Sequence, residues 1–198
     1  MSELNQLLLD FDCKSNFDKH DFYLSKSNSI AFNLINRWPD WDKKILNISG
    51  EKFSGKSHLA NIFKLKSKAF LVNGDKIDNS IFKSLKLYDC IIIDDFEKCK
   101  EEELLYSIFN LVDQDNKYML INSLKPINII KFNLPDLISR SKNCIYAEIE
   151  NPDDELLFAI ILKNFSDRQI KIEKKIINFI ISRIDRSYSK IDEFIYKI

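Results

Sequence analysis

Residues 45 to 57 read ILNISGEKFSGKS, an apolar run followed by a loop that contains two glycines and a lysine. The second part matches a phosphate-binding pattern in which a glycine, four residues of any type and Gly-Lys precede Ser or Thr. Glycines let the backbone curl until several amide groups point at one anion, and the following helix adds its positive end. The sequence therefore predicts a phosphate-binding loop, formed by Gly50, Glu51, Lys52, Phe53, Ser54, Gly55, Lys56 and Ser57.

Two side chains of this loop carry specific chemistry. Lys56 is expected to reach the β and γ phosphates of a nucleotide, and the Ser57 hydroxyl is expected to hold a magnesium ion. The apolar run before the loop and the helical spacing of Leu59, Ile62 and Phe63 after it supply the strand and the helix that the pattern requires. The alternative is a degenerate loop that keeps the fold and binds nothing.

A second motif is the acid pair Asp94-Asp95, which ends the most apolar run of the chain. A carboxylate at the tip of a central strand can hold magnesium, and a second one beside it can polarise an attacking water. We assign Asp94 to the metal and Asp95 to the water. Taken alone, the pair is better explained as two acids that merely end a strand; the phosphate loop upstream favours the functional interpretation.

Apolar runs and helical spacing alternate along the chain and predict an α/β fold, with a parallel sheet flanked by helices on both faces. Strands are expected at residues 45–49, 69–72, 89–93, 118–122 and 144–149, and helices between them at 57–66, 77–85 and 101–113. The segment 124–143 contains two prolines and is expected to be mainly loop, with a short helix-like run before Arg140. Three helices at 153–164, 173–181 and 187–197 predict a small C-terminal helical lid.

The composition limits the classes of function. The 198 residues suffice for one α/β domain with a small appendage, and the formal net charge of zero argues against a broadly basic nucleic-acid surface. Four scattered cysteines and two histidines argue against a zinc site or a disulfide framework. The N-terminal residues do not form a signal peptide pattern, and no apolar run approaches the roughly 20 residues of a membrane helix. We expect a cytoplasmic protein without a membrane partner.

Two further features have more than one interpretation. Fast hydrolysis of a nucleotide usually needs an arginine at the γ-phosphate, and the chain has five arginines. Spacing alone does not separate a functional role for Arg140 or Arg186 from a surface salt bridge.

The short apolar peptide at residues 6–11 fits a partner's groove or a terminal segment packed on its own domain equally well.

Taken together, these stretches resemble the DnaA-related AAA+ regulators called Hda, especially their alphaproteobacterial form. The resemblance covers nearly the whole chain and looks like the AAA+ part of DnaA without its DNA-binding domain. It is carried by residues 6–11 (QLLLDF), 21–31, 37–41 (RWPDW), 55–59 (GKSHL), 134–140 (LPDLISR) and 185–187 (DRS).

The resemblance implies roles for individual residues. Arg140 would be the arginine finger, and Arg186, at the start of the last lid helix, would contact the bound nucleotide. Asn122 or Ser123 lies where the family has its first sensor residue, and His58 continues the nucleotide-binding loop. The residues of the sliding-clamp binding peptide would be Gln6, Leu7, Leu8, Leu9 and Phe11.

The resemblance also implies a function. The DNA-loaded sliding clamp (the DNA polymerase III beta subunit) would recruit the chain, which would promote hydrolysis of DnaA-bound ATP and so repress re-initiation of replication. ADP or ATP with magnesium would be its own ligand, and a homo-oligomer is left open. The chain ends without a helix-turn-helix after the lid, so no sequence-specific DNA binding is expected.

The implied domains are a clamp-binding peptide and linker at 1–16, a nucleotide-binding AAA+ domain at 17–150 and a helical lid at 151–198. The alternative function is a helicase-loader-like or DnaA-like ATPase acting on its own.

Overall fold

The computed structural model describes residues 22–197, so the peptide at residues 6–11 lies outside the described part of the chain. Within that part, five short apolar segments form one sheet in which all paired strands are parallel. The strands are β1 (Ile45–Gly50), β2 (Phe70–Asn73), β3 (Cys90–Asp94), β4 (Tyr118–Ser123) and β5 (Ile145–Ile149). Their order is β2-β3-β4-β1-β5, which places β1 between β4 and β5. The predicted α/β class with a parallel sheet is confirmed.

Helices connect the strands and continue after the last one. They are α1 (Ser29–Arg37), α2 (Lys56–Ser67), α3 (Ile81–Leu85), α4 (Glu102–Gln114), α5 (Pro135–Lys142), α6 (Asp154–Asp167), α7 (Lys174–Ile181) and α8 (Tyr188–Tyr196). Between residues 22 and 197, no helix is both long and apolar enough to cross a bilayer.

Three helices differ from the sequence prediction. The prediction misses α1 altogether, and α3 begins at Ile81, four residues later than expected. The helix-like run expected before Arg140 is a regular helix, α5, that includes Arg140 and ends at Lys142. Pro135 starts this helix without the loss of a helical hydrogen bond, because the backbone amide at the first helical position has no partner within the helix.

Each face of the sheet carries its own hydrophobic cluster. Successive side chains of a strand point to opposite faces, so Ile91 and Ile93 of β3 join one cluster while Cys90 and Ile92 join the other. The first cluster includes residues of α4 and α5, and the second includes residues of α1 and α2. Helices therefore cover both faces of the sheet, as the sequence predicts.

The three C-terminal helices pack around a separate hydrophobic cluster. Its buried residues are Leu157, Ile161, Phe165, Ile177, Ile191 and Ile195. Tyr188 is 3% exposed and belongs instead to the sheet cluster that contains α1 and α2, so the start of α8 contacts the α/β part. The exact domain boundaries stay a prediction.

Candidate phosphate-binding site

The carboxyl ends of β1, β3 and β4 lie side by side at one edge of the sheet. In the strand register, Ile48 of β1 pairs with Asn122 of β4, and Ile93 of β3 pairs with Ile121 of β4. The phosphate loop continues from β1, and Asp94 is the last residue of β3. Parallel strands thus bring the loop, Asp94 and Asn122 together at the edge where α/β proteins bind ligands.

Both glycines of the loop are required by their surroundings. Gly55 precedes α2 with φ of 91°, a left-handed conformation that side chains disfavour, and a Cβ there would lie 3.3 Å from Phe22. A Cβ on Gly50 would lie 3.0 Å from Ser54 Oγ and 3.1 Å from Ile149 Cβ. A side chain at either position would therefore push its neighbours outward by a few tenths of an ångström, and at Gly55 it would also strain the backbone.

Lys56 places a buried ammonium group inside the loop. It is 8% exposed, and its Nζ donates to the carbonyl oxygens of Gly50 at 2.8 Å and Glu51 at 2.7 Å. Burial lowers the pKa of Lys56, and the opposing effect comes from four nearby carboxylates, Glu97, Asp94, Asp95 and Glu51. The loop therefore surrounds a cation with backbone carbonyl groups, next to the amino end of α2.

Asp94 and Asn122 form a polar pair across neighbouring strands. Asn122 Nδ2 donates to Asp94 Oδ1 at 3.0 Å, and Asn122 is fully buried. The amide oxygen of the same side chain, Asn122 Oδ1, is buried without a hydrogen-bond partner among the described residues. Because buried polar atoms are nearly always paired, this oxygen is an acceptor that suits a water or a ligand group.

Asp95 is held by two neighbours that sequence reasoning missed. Its Oδ2 accepts from Lys98 Nζ at 2.7 Å and from Asn73 Nδ2 at 3.1 Å. Burial raises the pKa of Asp95, but the hydrogen bonds from Lys98 and Asn73 and the charges of Lys98 and Lys56 outweigh it, so the pKa is lowered. Gly74 fixes the backbone here, since a Cβ on it would lie 2.3 Å from the Asp95 carbonyl oxygen.

A cavity of about 590 Å³ lies between the phosphate loop and the C-terminal helices. From α8 it is lined by Tyr188, Ile191, Asp192 and Ile195. None of the described residues that line it is an arginine. The predicted site residues in its wall are Lys52, Phe53, Gly55, Lys56, Ser57, His58 and Asp95.

Glu51 belongs to the predicted loop, yet its carboxylate points to the lid. It accepts from Ser187 Oγ at 2.6 Å and from the backbone amides of Tyr188 at 2.9 Å and Ser189 at 3.3 Å. Burial raises the pKa of Glu51, and the hydrogen bonds from these three residues outweigh it, so the pKa is lowered. The side chain thus meets the amino end of α8, to which a carboxylate is attracted.

The two predicted arginines lie away from this cavity. Arg186 forms an ion pair with Asp154 at 2.9 Å and lines a different cavity, of about 890 Å³, beside α6 and α7. Arg140 lies on α5 and contacts α4, where its guanidinium donates to Asp113 Oδ2 at 2.5 Å and to Asn110 Oδ1 at 3.0 Å. Their proposed roles at a nucleotide stay predictions.

The residues at this edge suit nucleotide phosphates together with magnesium. Lys56 and the amino end of α2 supply positive charge, and the two glycines let the backbone approach an anion closely. The Ser57 hydroxyl and the Asp94 carboxylate are oxygen ligands of the kind that magnesium prefers.

Sequence comparison relates the chain to the replication initiator DnaA. It is 23% identical to the chromosomal replication initiator protein DnaA of Borreliella afzelii over 211 residues, covering 93% of this chain and 44% of that protein. It is 30% identical to DnaA of Chlorobaculum tepidum over 114 residues, covering 56% of this chain and 23% of that protein. The chain therefore spans less than half the length of these relatives. No family model matches the chain.

Solved structures share its fold. Domain III of the Thermotoga maritima replication initiation protein DnaA matches with a TM-score of 0.73 and 20% identity, over 91% of this chain and 86% of that one. Replication initiator DnaA bound to AMPPCP and single-stranded DNA matches with a TM-score of 0.71 and 19% identity, over 90% and 63% of the two chains. The chain therefore has the AAA+ fold of these structures, and its sequence is similar to DnaA over most of its length.

Proposed function

We propose that this DnaA-related chain holds ADP or ATP with magnesium and acts as an Hda-like negative regulator of replication initiation. It binds the DNA-loaded sliding clamp in the cytoplasm and promotes hydrolysis of the ATP carried by DnaA. The sequence relation to DnaA over nearly the whole chain supports a role at initiation. The proposal assigns clamp binding to residues 1–16, nucleotide binding to 17–150 and the lid to 151–198.

Nucleotide binding is supported by the phosphate loop and by a DnaA structure of the same fold that is bound to AMPPCP. In this chain the loop amides would hold the phosphates, and Lys56 would neutralise their charge. When bound, magnesium would be held by Ser57 and Asp94 and would neutralise charge between neighbouring phosphates. A nucleotide contact by Arg186 rests on the family resemblance, because Arg186 lines the other cavity.

The position of Arg140 carries the proposal of action on a partner. Its side chain is 36% exposed, lies on the surface formed by α4 and α5, and is absent from the wall of the chain's own phosphate cavity. An arginine outside its own site can complete a neighbour's, as arginine fingers do, and Arg140 would exchange its contacts with Asp113 and Asn110 for the partner's phosphate. We therefore assign Arg140 to the γ-phosphate of ATP bound to DnaA.

Clamp binding is assigned to Gln6, Leu7, Leu8, Leu9 and Phe11. Support comes from the resemblance of this peptide to the family's clamp-binding segment, and these residues lie outside the described range. Attachment to the clamp would raise the local concentration of the chain near DnaA without any new contact between them.

The decisive experiment measures ADP formation on DnaA preloaded with radiolabelled ATP, in the presence of clamp loaded on DNA. We expect the wild-type chain to accelerate hydrolysis and Arg140→Ala to lose most of the effect, by roughly 10³-fold or more. Arg37→Ala is the matched control, because Arg37 is the last residue of α1 and its side chain makes one hydrogen bond among the described residues, to the Asp40 carbonyl oxygen. Equal ADP formation by Arg140→Ala and wild type would overturn the assignment.

Two further measurements separate this proposal from the alternative of an independent ATPase. Gln6→Ala and Leu7→Ala should lose binding to immobilised clamp while keeping nucleotide binding. Steady-state ATP turnover by the chain alone, stimulated by single-stranded DNA, would favour a helicase-loader-like or DnaA-like ATPase instead.

A further inference from the structure

We infer that Glu51 is a positioning residue through which occupancy of the phosphate loop and the position of the lid depend on each other. The inference deepens the proposed nucleotide binding and rests on it. The backbone carbonyl oxygen of Glu51 contacts the Lys56 ammonium group, and the Glu51 carboxylate contacts the lid.

The contacts of Glu51 join two distant parts of the chain. Its carbonyl oxygen accepts from Lys56 Nζ at 2.7 Å, and its carboxylate accepts from Ser187, Tyr188 and Ser189. The sequence separation between Glu51 and these partners is 136 to 138 residues. Any movement of the Lys56 ammonium towards a phosphate therefore acts on the residue that also holds α8.

The charge of Glu51 makes this contact important for anion binding. A carboxylate inside a phosphate-binding loop repels phosphate unless another group neutralises it. Here the amino end of α8 supplies two backbone amides and the Ser187 hydroxyl, which turn the carboxylate away from the loop. Release of α8 would return an unpaired negative charge to the loop, so phosphate binding and lid docking favour each other.

The lid also forms part of the wall that would enclose a nucleotide. Tyr188 and Ile191 of α8 line the same cavity as Lys56 and Ser57. If Glu51 no longer held α8, this wall would open more often, and a bound nucleotide would leave faster. Tyr188 keeps a second anchor, because its hydroxyl donates to the Glu150 carbonyl oxygen at 3.2 Å, so the lid should remain folded in a Glu51 variant.

The first test measures the dissociation rate of a fluorescent N-methylanthraniloyl ADP from the full chain with magnesium. We expect Glu51→Ala to raise this rate about tenfold, since it removes hydrogen bonds to a charged acceptor. Glu51→Gln retains one acceptor oxygen, so its dissociation rate should lie between those of the wild type and Glu51→Ala. The matched control is Asp153→Ala, which removes the cap of α6 (Asp153 Oδ1 to Leu156 N, 2.8 Å) without touching the phosphate loop, and it should stay within about twofold of wild type.

The second test is hydrogen exchange of the Tyr188 and Ser189 amides with and without ADP. Addition of ADP should slow their exchange about threefold or more in the wild type and leave it unchanged in Glu51→Ala. A wild-type dissociation rate in Glu51→Ala, or an undiminished response of these amides in that variant, overturns the inference and leaves nucleotide binding intact. Failure of the wild type to bind the fluorescent ADP overturns both.

Discussion

At the scale of single residues, the surroundings of Asp95 matter most for chemistry. Its carboxylate is shared by Lys98 at 2.7 Å and Asn73 at 3.1 Å, and its pKa lies below the usual aspartate value. A carboxylate that is already paired and has a low pKa attracts a water proton weakly. The second acid of the pair is therefore a poor activator of water as long as Lys98 holds it.

Removal of Lys98 should leave Asp95 with only the hydrogen bond from Asn73 and make its carboxylate more available to a water. We expect Lys98→Ala to raise the chain's own ATP turnover roughly tenfold, part of the 10²- to 10⁴-fold that a positioned general base supplies. Single-turnover assays with bound ATP measure the effect. Lys100→Ala, which removes an exposed lysine two residues further on, is the control. Identical rates in the two variants would show that the pair with Lys98 does not limit turnover.

At the scale of elements, the buried strands were the most predictable part of the chain. A central parallel strand is covered on both faces, so it appears in the sequence as a continuous apolar run, as β3 does up to Asp94. Strand β1 is also buried throughout, but its run is interrupted by Asn47 and Ser49. Helix α1 was missed, although Ala31 and Ile35 lie one turn apart on its buried face and Asn28, a residue type that often caps helices, precedes it. In the structure the Asn28 side chain makes no cap and instead accepts from the Ser25 amide.

The site was predictable only where local sequence determines it. The phosphate loop and the acids at the end of β3 follow from spacing along the chain. The partners of these groups do not: Asn73 reaches Asp95 because β2 and β3 pair in a register that sets Asn73 opposite Asp94. The contact of Glu51 with α8 depends on the packing of the whole lid, for which no local pattern exists.

Strand β1 also contains a buried polar side chain that should be costly to remove. Asn47 is fully buried, donates to the Ile121 carbonyl oxygen at 3.0 Å and to Ser123 Oγ at 2.9 Å, and accepts from the Ile127 amide at 3.0 Å. Asn47→Leu would remove all three hydrogen bonds and leave the Ile127 amide without its Asn47 acceptor inside the protein. We expect it to lower the free energy of unfolding by about 2–4 kcal/mol, measured by urea denaturation.

The control for this prediction is Asn61→Leu on α2. Asn61 donates only to the Ser57 carbonyl oxygen of its own helix, in an exposed setting, so its loss should change the unfolding free energy by no more than about 0.5 kcal/mol. Equal denaturation midpoints for the two variants would mean that the Asn47 network does not stabilise the sheet.

At the scale of the whole molecule, the lid and the α/β part have their own hydrophobic clusters and meet at the starts of α6 and α8, where Leu156 and Tyr188 join the sheet cluster. Apolar contact of Tyr188 with the sheet cluster and the polar contacts of Glu51 lie at this junction. The polar contacts depend on the charge of Glu51, so the junction should respond to acid while the two clusters do not.

The sign of the pH dependence follows from the lowered pKa of Glu51. A carboxylate with a depressed pKa in the folded state stabilises the protein above its unfolded-state pKa, near 4.5, and this stabilisation is lost as the pH falls through the folded value. We expect wild type to be more stable than Glu51→Gln at neutral pH, with the difference shrinking below about pH 4.5. Urea unfolding of both proteins across the pH range measures it; a difference that is constant down to the lowest pH would contradict the prediction.

The place of β1 in the sheet has a consequence for the order of events during synthesis. Its neighbours are β4 and β5, which both come much later in the chain than β1 itself. Until residue 149 has left the ribosome, the strand that carries the phosphate loop lacks one of its two flanking strands. Pairing across so long an intervening segment is entropically costly and slow. A nucleotide can therefore assist only the last stage of folding of a newly made chain, because its binding loop is among the last features to be completed.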